Sequence, residues 1–382
     1  MRFSVMKLNG KLIAKWFLYI SLALALCNAL VSNEKPIVAK QNGQWVFPAL
    51  KDVWFDITFQ PRSKILVEKE SYSSAIYPPI PYAYSTIGSM NEALVPPMTE
   101  NHILGTDKLG RDVAAGLVRG VFNAFRVGFI SCLLACVIGV ILGMLMGFYG
   151  NDVIKINILQ LIVIISSVVL FIFYLVYGFC GLILTNILGW VMFMVFVSVS
   201  LVLTGKFNRL KKNSFPLDII LMRFVEIRKS IPIIILILAL LPLISHRQVS
   251  HLVLILALLT WPMFARHSRS ETMSLMKKEF VQSAQTIGVP FWRLMFNHIL
   301  PNIMPTIYVV FVFTLVSNIL IESALSFLGM GLPPEDISWG SMLNEGRKNF
   351  GAWWLTVFPG LFLFFTIYSL NIIGDRFSKR VQ

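Results

Sequence analysis

The sequence predicts an all-α polytopic membrane protein. Of its 382 residues, 56% are hydrophobic and 14% charged, and the mean hydropathy is +0.73. Apolar runs of crossing length recur along the chain, and Lys and Arg gather in the tails and in two of the connecting loops. A hydrocarbon core about 30 Å thick takes roughly 20 apolar residues per helical crossing. A helix satisfies its own backbone there, which open chain does not.

The clear runs are 12–31, 122–149, 156–177, 182–204, 304–328 and 353–374. Two shorter apolar cores, 231–244 and 252–265, contain Pro232, Pro242 and Pro262 and extend to spans near 217–244 and 248–267. The expectation is therefore about eight spans by the same length rule. Short, proline-interrupted segments are expected where backbone faces a pathway and not lipid, so Pro232 and Pro262 are pathway candidates. Kinked structural helices would carry the same prolines.

Orientation follows from the cations. Arg2, Lys7, Lys11 and Lys15 precede the first run, which predicts a cytoplasmic N-terminus. An even number of spans returns the C-terminus, with Arg376, Lys379 and Arg380, to the same side. Segment 33–121 carries balanced charge, so the net +14 arises in the tails and in the loops around 205–229 and 266–293. That excess reports membrane orientation and gives no indication of nucleic-acid binding. The first run is expected to be a retained span. It is long for a signal core, and Leu26 is large for the position before Cys27 in a lipoprotein cleavage site. Cys27, Cys132, Cys136 and Cys180 all fall in predicted spans, where thiols act as small hydrophobes. No metal site is expected from them.

Five regions follow: 1–32, an N-terminal cytoplasmic tail and first span; 33–121, extracytoplasmic; 122–150, the second span; 151–215, a two-span hairpin; and 216–382, with the last four spans. Tyr77-Pro78-Pro79-Ile80-Pro81-Tyr82 predicts extended, non-helical order in 33–121, because proline withholds backbone donors. At Gly105-Thr106-Asp107-Lys108-Leu109-Gly110-Arg111-Asp112 a glycine turn leads into a helix-compatible stretch, with Thr106 or Asp107 as the expected cap. Between the sixth and seventh spans, Phe280, Ala284 and Ile287 recur at helical spacing after Glu279, and Gly288 with Pro290 stops the helix. Leu300-Pro301 then enters the next span. A short helix with an apolar face on the cytoplasmic side needs a cover, which could be its own bundle or the lipid interface.

No catalytic constellation is present. The sequence lacks a phosphate-cradling Gly-Lys-Ser/Thr loop and a His-Glu-x-x-His motif, and its five histidines are scattered. Glu322, inside an apolar run, is a functional candidate by default. Its place in the outer third of the span also allows its carboxylate to reach the interface.

These motifs together resemble a known family. His102 to Val113 is similar to the signature before the second span in C-type permease subunits of dipeptide and oligopeptide ABC importers. Residues 279–301 resemble the cytoplasmic motif of type I ABC importer permeases, in which Glu-Ala-Ala, three residues and Gly are followed at a fixed gap by Leu-Pro. Here Gln282, Ser283, Ala284, Gly288, Leu300 and Pro301 take those places. Glu322-Ser323-Ala324-Leu325, Trp339-Gly340-Ser341 and Phe358-Pro359-Gly360 complete the pattern, which covers 102–150 and 216–377.

The resemblance implies a type I ABC importer transmembrane fold forming half of a peptide pathway. Its implied partners are a second permease subunit in a heterodimer, two cytoplasmic ATPases, an extracytoplasmic substrate-binding protein and the bilayer. It implies no cofactor bound by this chain. Nickel chelates and other small solutes use closely similar subunits, and the long segment before Gly105 resembles a subgroup that includes antimicrobial-peptide import. Two departures stand out. Gln282 and Ser283 replace Glu and Ala on the ATPase-docking helix, and 151–215 has no counterpart in a six-span subunit. The rival classes lack support: an ion-coupled transporter needs ionisable groups at the midplane, and a membrane enzyme needs a clustered constellation.

Overall fold

In the computed structural model the described residues are 2–41, 44–49, 74–87, 92–99, 102–150, 155–156, 213–214, 217–243, 248–333 and 336–381. The hairpin expected at 151–215 lies outside them except at its two ends, as does the middle of segment 33–121. By contact the chain forms two compact units, one of 1–137, 247–264 and 304–382, the other of 138–246 and 265–303.

The helices are α1 (Arg2–Leu26), α2 (Asn28–Val31), α3 (Val113–Tyr149), α4 (Leu217–Ser230), α5 (Ile233–Leu240), α6 (Val249–Met276), α7 (Glu279–Thr286), α8 (Phe291–Phe327), α9 (Trp339–Lys348) and α10 (Trp354–Val381). Among the described residues four helices are long and apolar enough to cross a membrane, namely α3, α6, α8 and α10 to Lys379. The chain is thus a multi-pass membrane protein, mostly helical where it is described. The apolar part of α1, Lys15–Leu26, is shorter than a full crossing. Helix α1 is continuous from Arg2, ahead of that apolar part.

One expected span needs correction. The span expected at 217–244 is broken. α4 ends at Ser230, and Pro232, with φ −56° and ψ 129°, starts α5. Proline supplies no N–H and bars helical backbone to the residue before it, so Ile231 cannot bridge the two. The helix that carries the second span runs unbroken from Val113, through the stretch expected to lead into it. Pro262, by contrast, sits buried inside a continuous α6.

The first unit also holds a three-stranded antiparallel sheet with β1 (Val38–Gln41) between β2 (Gln44–Val46) and β3 (Ser74–Ile76). Ala39 pairs with Val46 on one side and Ala75 on the other. The described part of segment 33–121 ahead of α3 consists of these strands, turns and open chain, apart from helical Pro48 and Ala49 and a 3-10 position at Glu92. In this unit α1 packs on α10 through Phe17, whose ring lies 5.4 Å from that of Phe365.

In the second unit α3 crosses α6 at small residues. A Cβ on Gly147 would come within 2.6 Å of the Thr272 Cβ, so only glycine permits this approach. The Ser268 hydroxyl spans the crossing to the Val140 carbonyl at 3.1 Å, a bond that gains strength where water is scarce. β4 (Lys155–Ile156) and β5 (Asn213–Ser214) pair antiparallel, so the chain leaves for 157–212 and returns at one place.

Candidate functional site

Two sites emerge, one in each unit, and each is built from its own residues. In the second unit α7 contains the predicted motif. Lys278, with extended backbone, precedes it, and Glu279 occupies the first turn, where a carboxylate favours the helix dipole. The helix ends in a Schellman arrangement: the Val289 N–H donates to the Ala284 carbonyl and the Gly288 N–H to the Gln285 carbonyl, both at 3.0 Å. Gly288 sits at φ +82° with open space around its Cβ position, so backbone handedness alone selects glycine there.

Val281 anchors α7 by complete burial. The adjoining apolar face is exposed within the described residues: Phe280 is 43% exposed and Ile287 83%, with Ala284 half-buried between them. Trp292 and Phe296, just beyond, are exposed as well. Gln282 and Ser283 both face outward, so the departures from the usual motif lie at the surface.

Leu294–Ile299 forms a π-helical turn leading to Leu300 and Pro301. Pro301 offers no N–H to the preceding turn, and the wider turn accommodates that loss. The Asn302 side-chain amide donates to the His298 carbonyl one turn back.

In the first unit the signature 102–112 is a closed loop in which His102, Thr106, Asp107 and Asp112 are buried. Thr106 and Asp107, the expected caps, do not cap α3. Asp112 does, accepting the Ala115 N–H at 2.8 Å while its other oxygen bonds His102 Nδ1 at 2.8 Å. Cap geometry requires the side chain just outside the first turn, and the turn from 107 to 111 places Asp112 there. Asp107 instead accepts the Leu109 and Arg111 amides at 2.8 and 3.0 Å and pairs with Arg111 Nε at 2.6 Å. Thr106 Oγ1 accepts the Val95 N–H at 2.9 Å, and its carbonyl takes the Trp354 indole N–H at 3.0 Å. Gly105, at φ +80°, lets those strands meet, because a Cβ there would fall 2.6 Å from the Val95 oxygen. Gly110, also at positive φ, closes the turn.

Arg111 extends from Asp107 to Glu345 on α9 at 3.3 Å. Burial and then Asp107 raise the Glu345 carboxyl above its usual range, against Arg111, Lys108 and Lys348. Glu322 is enclosed by protein. It is 1% exposed and accepts the Ser326 hydroxyl at 2.8 Å and the Ser323 hydroxyl at 3.3 Å. Of the remaining pathway candidates, Pro232 is exposed and Pro262 buried.

The sequence reading missed one cluster. Arg119, 4% exposed, donates to Asp336 at 2.8 and 3.1 Å, and Asn123 reaches Asp336 at 3.3 Å and the Ile337 carbonyl at 2.8 Å. The guanidinium stacks on Tyr84 at 4.6 Å and Phe122 at 4.9 Å. A cation beside an apolar run was the only signal in the sequence.

The chain is thus a multi-pass helical scaffold that carries a short amphipathic helix with an exposed apolar face. Residues 202–382 match the family described as binding-protein-dependent transport system inner membrane component. Among curated relatives, a protein of Brucella ovis named as a peptide permease is 36% identical over 163 residues, 41% of this chain and 53% of that one. The oligopeptide transport system permease protein OppC of Haemophilus influenzae is 35% identical over 159 residues, 41% of this chain and 51% of that one. The glutathione transport system permease protein GsiD of Pectobacterium atrosepticum is 33% identical over 159 residues, 41% of this chain and 52% of that one. The chain spans about half the length of the curated relatives it matches. A solved structure of inward-facing conformations of the MetNI methionine ABC transporter aligns with a TM-score of 0.42 at 16% identity, covering 70% of this chain and 96% of that one.

Proposed function

We propose that this chain is one permease subunit of an ATP-driven peptide importer and forms half of its transmembrane pathway. The observation that carries the reading is the family match at 202–382, which contains an exposed apolar helix ended by Gly288. In this reading the chain binds no ATP or other cofactor. Two cytoplasmic ATPases supply the energy, a second permease completes the pathway, and an extracytoplasmic binding protein delivers cargo. Both termini lie in the cytoplasm.

The permease is a two-state element, and each partner acts by binding one state better. The stripe of Phe280, Ala284 and Ile287 docks in an ATPase groove and passes on closure of the ATPase pair. Phe280→Asp with Ala284→Asp tests this: ATPase co-purification and uptake are lost while the chain still inserts. Unchanged association would refute the docking role. Segment 33–121 is part of the landing surface for the binding protein. Deleting 40–95 then abolishes uptake with insertion intact, and unimpaired uptake would count against it.

A further inference from the structure

Where the apolar stretches of α1 and α10 run out, a groove of about 240 Å³ opens between them, lined by Lys15, Leu18, Tyr19, Ile373, Arg376 and Phe377. Two of these six are cations and none is acidic. Asp375 is exposed and does not line the groove. The helices are fixed here by Phe17 against Phe365, and by Phe377 against Tyr308 of α8, with ring centroids 6.4 Å apart. Away from the cations the exposed surface is apolar and aromatic, with Trp16 and Ile20 on α1 and Phe365 and Tyr368 on α10.

Cations at the end of apolar helices stand at headgroup depth, with their stems along the hydrocarbon boundary. A groove with a cationic mouth and apolar walls matches an amphiphile with an anionic head. Basic pockets between membrane helices hold such headgroups. We propose that this groove binds an anionic phospholipid, its phosphate between Lys15 and Arg376 and its chains along the aromatic surface of α1 and α10. A free anion would draw nothing from Leu18, Ile373 and Phe377, so the lipid is the occupant the walls favour.

The test is native mass spectrometry of the full-length chain extracted from membranes and equilibrated with phosphatidylglycerol or phosphatidylcholine. The wild type is expected to retain phosphatidylglycerol in preference. Lys15→Gln and Arg376→Gln should each lower its retention about fivefold, and the double variant about twenty-five-fold. Lys379→Gln, outside the groove, should leave it unchanged. Glutamine keeps the apolar stem, and if the double variant fails to insert, the single variants and the wild-type lipid comparison still decide. Equal retention of both lipids, full retention by the variants, or displacement by millimolar inorganic phosphate would each overturn the assignment.

Discussion

Gly105 and Gly288 are both left-handed glycines, yet the chain needs them for different reasons. At Gly288 only handedness matters, so Gly288→Ala should cost about 1–2 kcal/mol at the end of α7. At Gly105 a Cβ also meets the Val95 oxygen, so Gly105→Ala should cost more and loosen the Trp354 contact. Thermal unfolding of the detergent-extracted protein measures both. Equal losses would mean that crowding at Gly105 is relieved elsewhere. Arg119 makes a sharper case. Replacing it with Met takes the main partner from a part-buried Asp336 carboxylate, which costs about 1–3 kcal/mol. Burial pushes the Asp336 carboxyl up, but Arg119, Arg126 and Asn123 outweigh it and hold the group below the ordinary carboxylate range. A depressed folded pKa contributes stability above the unfolded value of about 3.9. That stability disappears as pH falls through the lower folded value. Unfolding followed from pH 6 downward should therefore show a drop below about pH 4 that Asp336→Asn lacks. Glycines and the cap-like Asp residues were legible in the sequence, whereas the choice of Asp112 over Asp107 was not. It depends on a turn closed by Gly110 and on a tryptophan far along the chain.

At the scale of elements, α7 was readable because its period, its stop and its polar side are all local. The crossing of α3 and α6 was not, although its glycines are plain in the sequence, because a glycine carries no mark of the helix it will meet. Gly147→Leu should overpack this crossing by about 1–3 kcal/mol, read as a lowered unfolding temperature. An unchanged temperature would mean that the helices separate freely there. The break between α4 and α5 follows from Pro232, yet the same residue class leaves α6 continuous at Pro262. Proline alone therefore does not tell a break from a tolerated kink. Glu322 shows the same limit, since its depth in the span suggested an interface while Ser323 and Ser326 supply hydrogen bonds that let it stay buried.

For the whole molecule, composition alone established the membrane class, and four crossing helices carry it among the described residues. The pairing of Lys155–Ile156 with Asn213–Ser214 brings the ends of the intervening stretch to neighbouring strands, which lie about 5 Å apart. Replacing 157–212 with a two-residue Asn-Gly turn should then preserve membrane insertion and partner association. Loss of insertion would make that stretch integral to the fold. The assignment of a pathway half is tested most directly by uptake of labelled peptides of graded length into cells with and without this gene, with cellular ATP intact or depleted. The account predicts uptake that requires both the gene and ATP. Uptake that persists without the gene, or that continues after ATP depletion while a proton gradient remains, would contradict it.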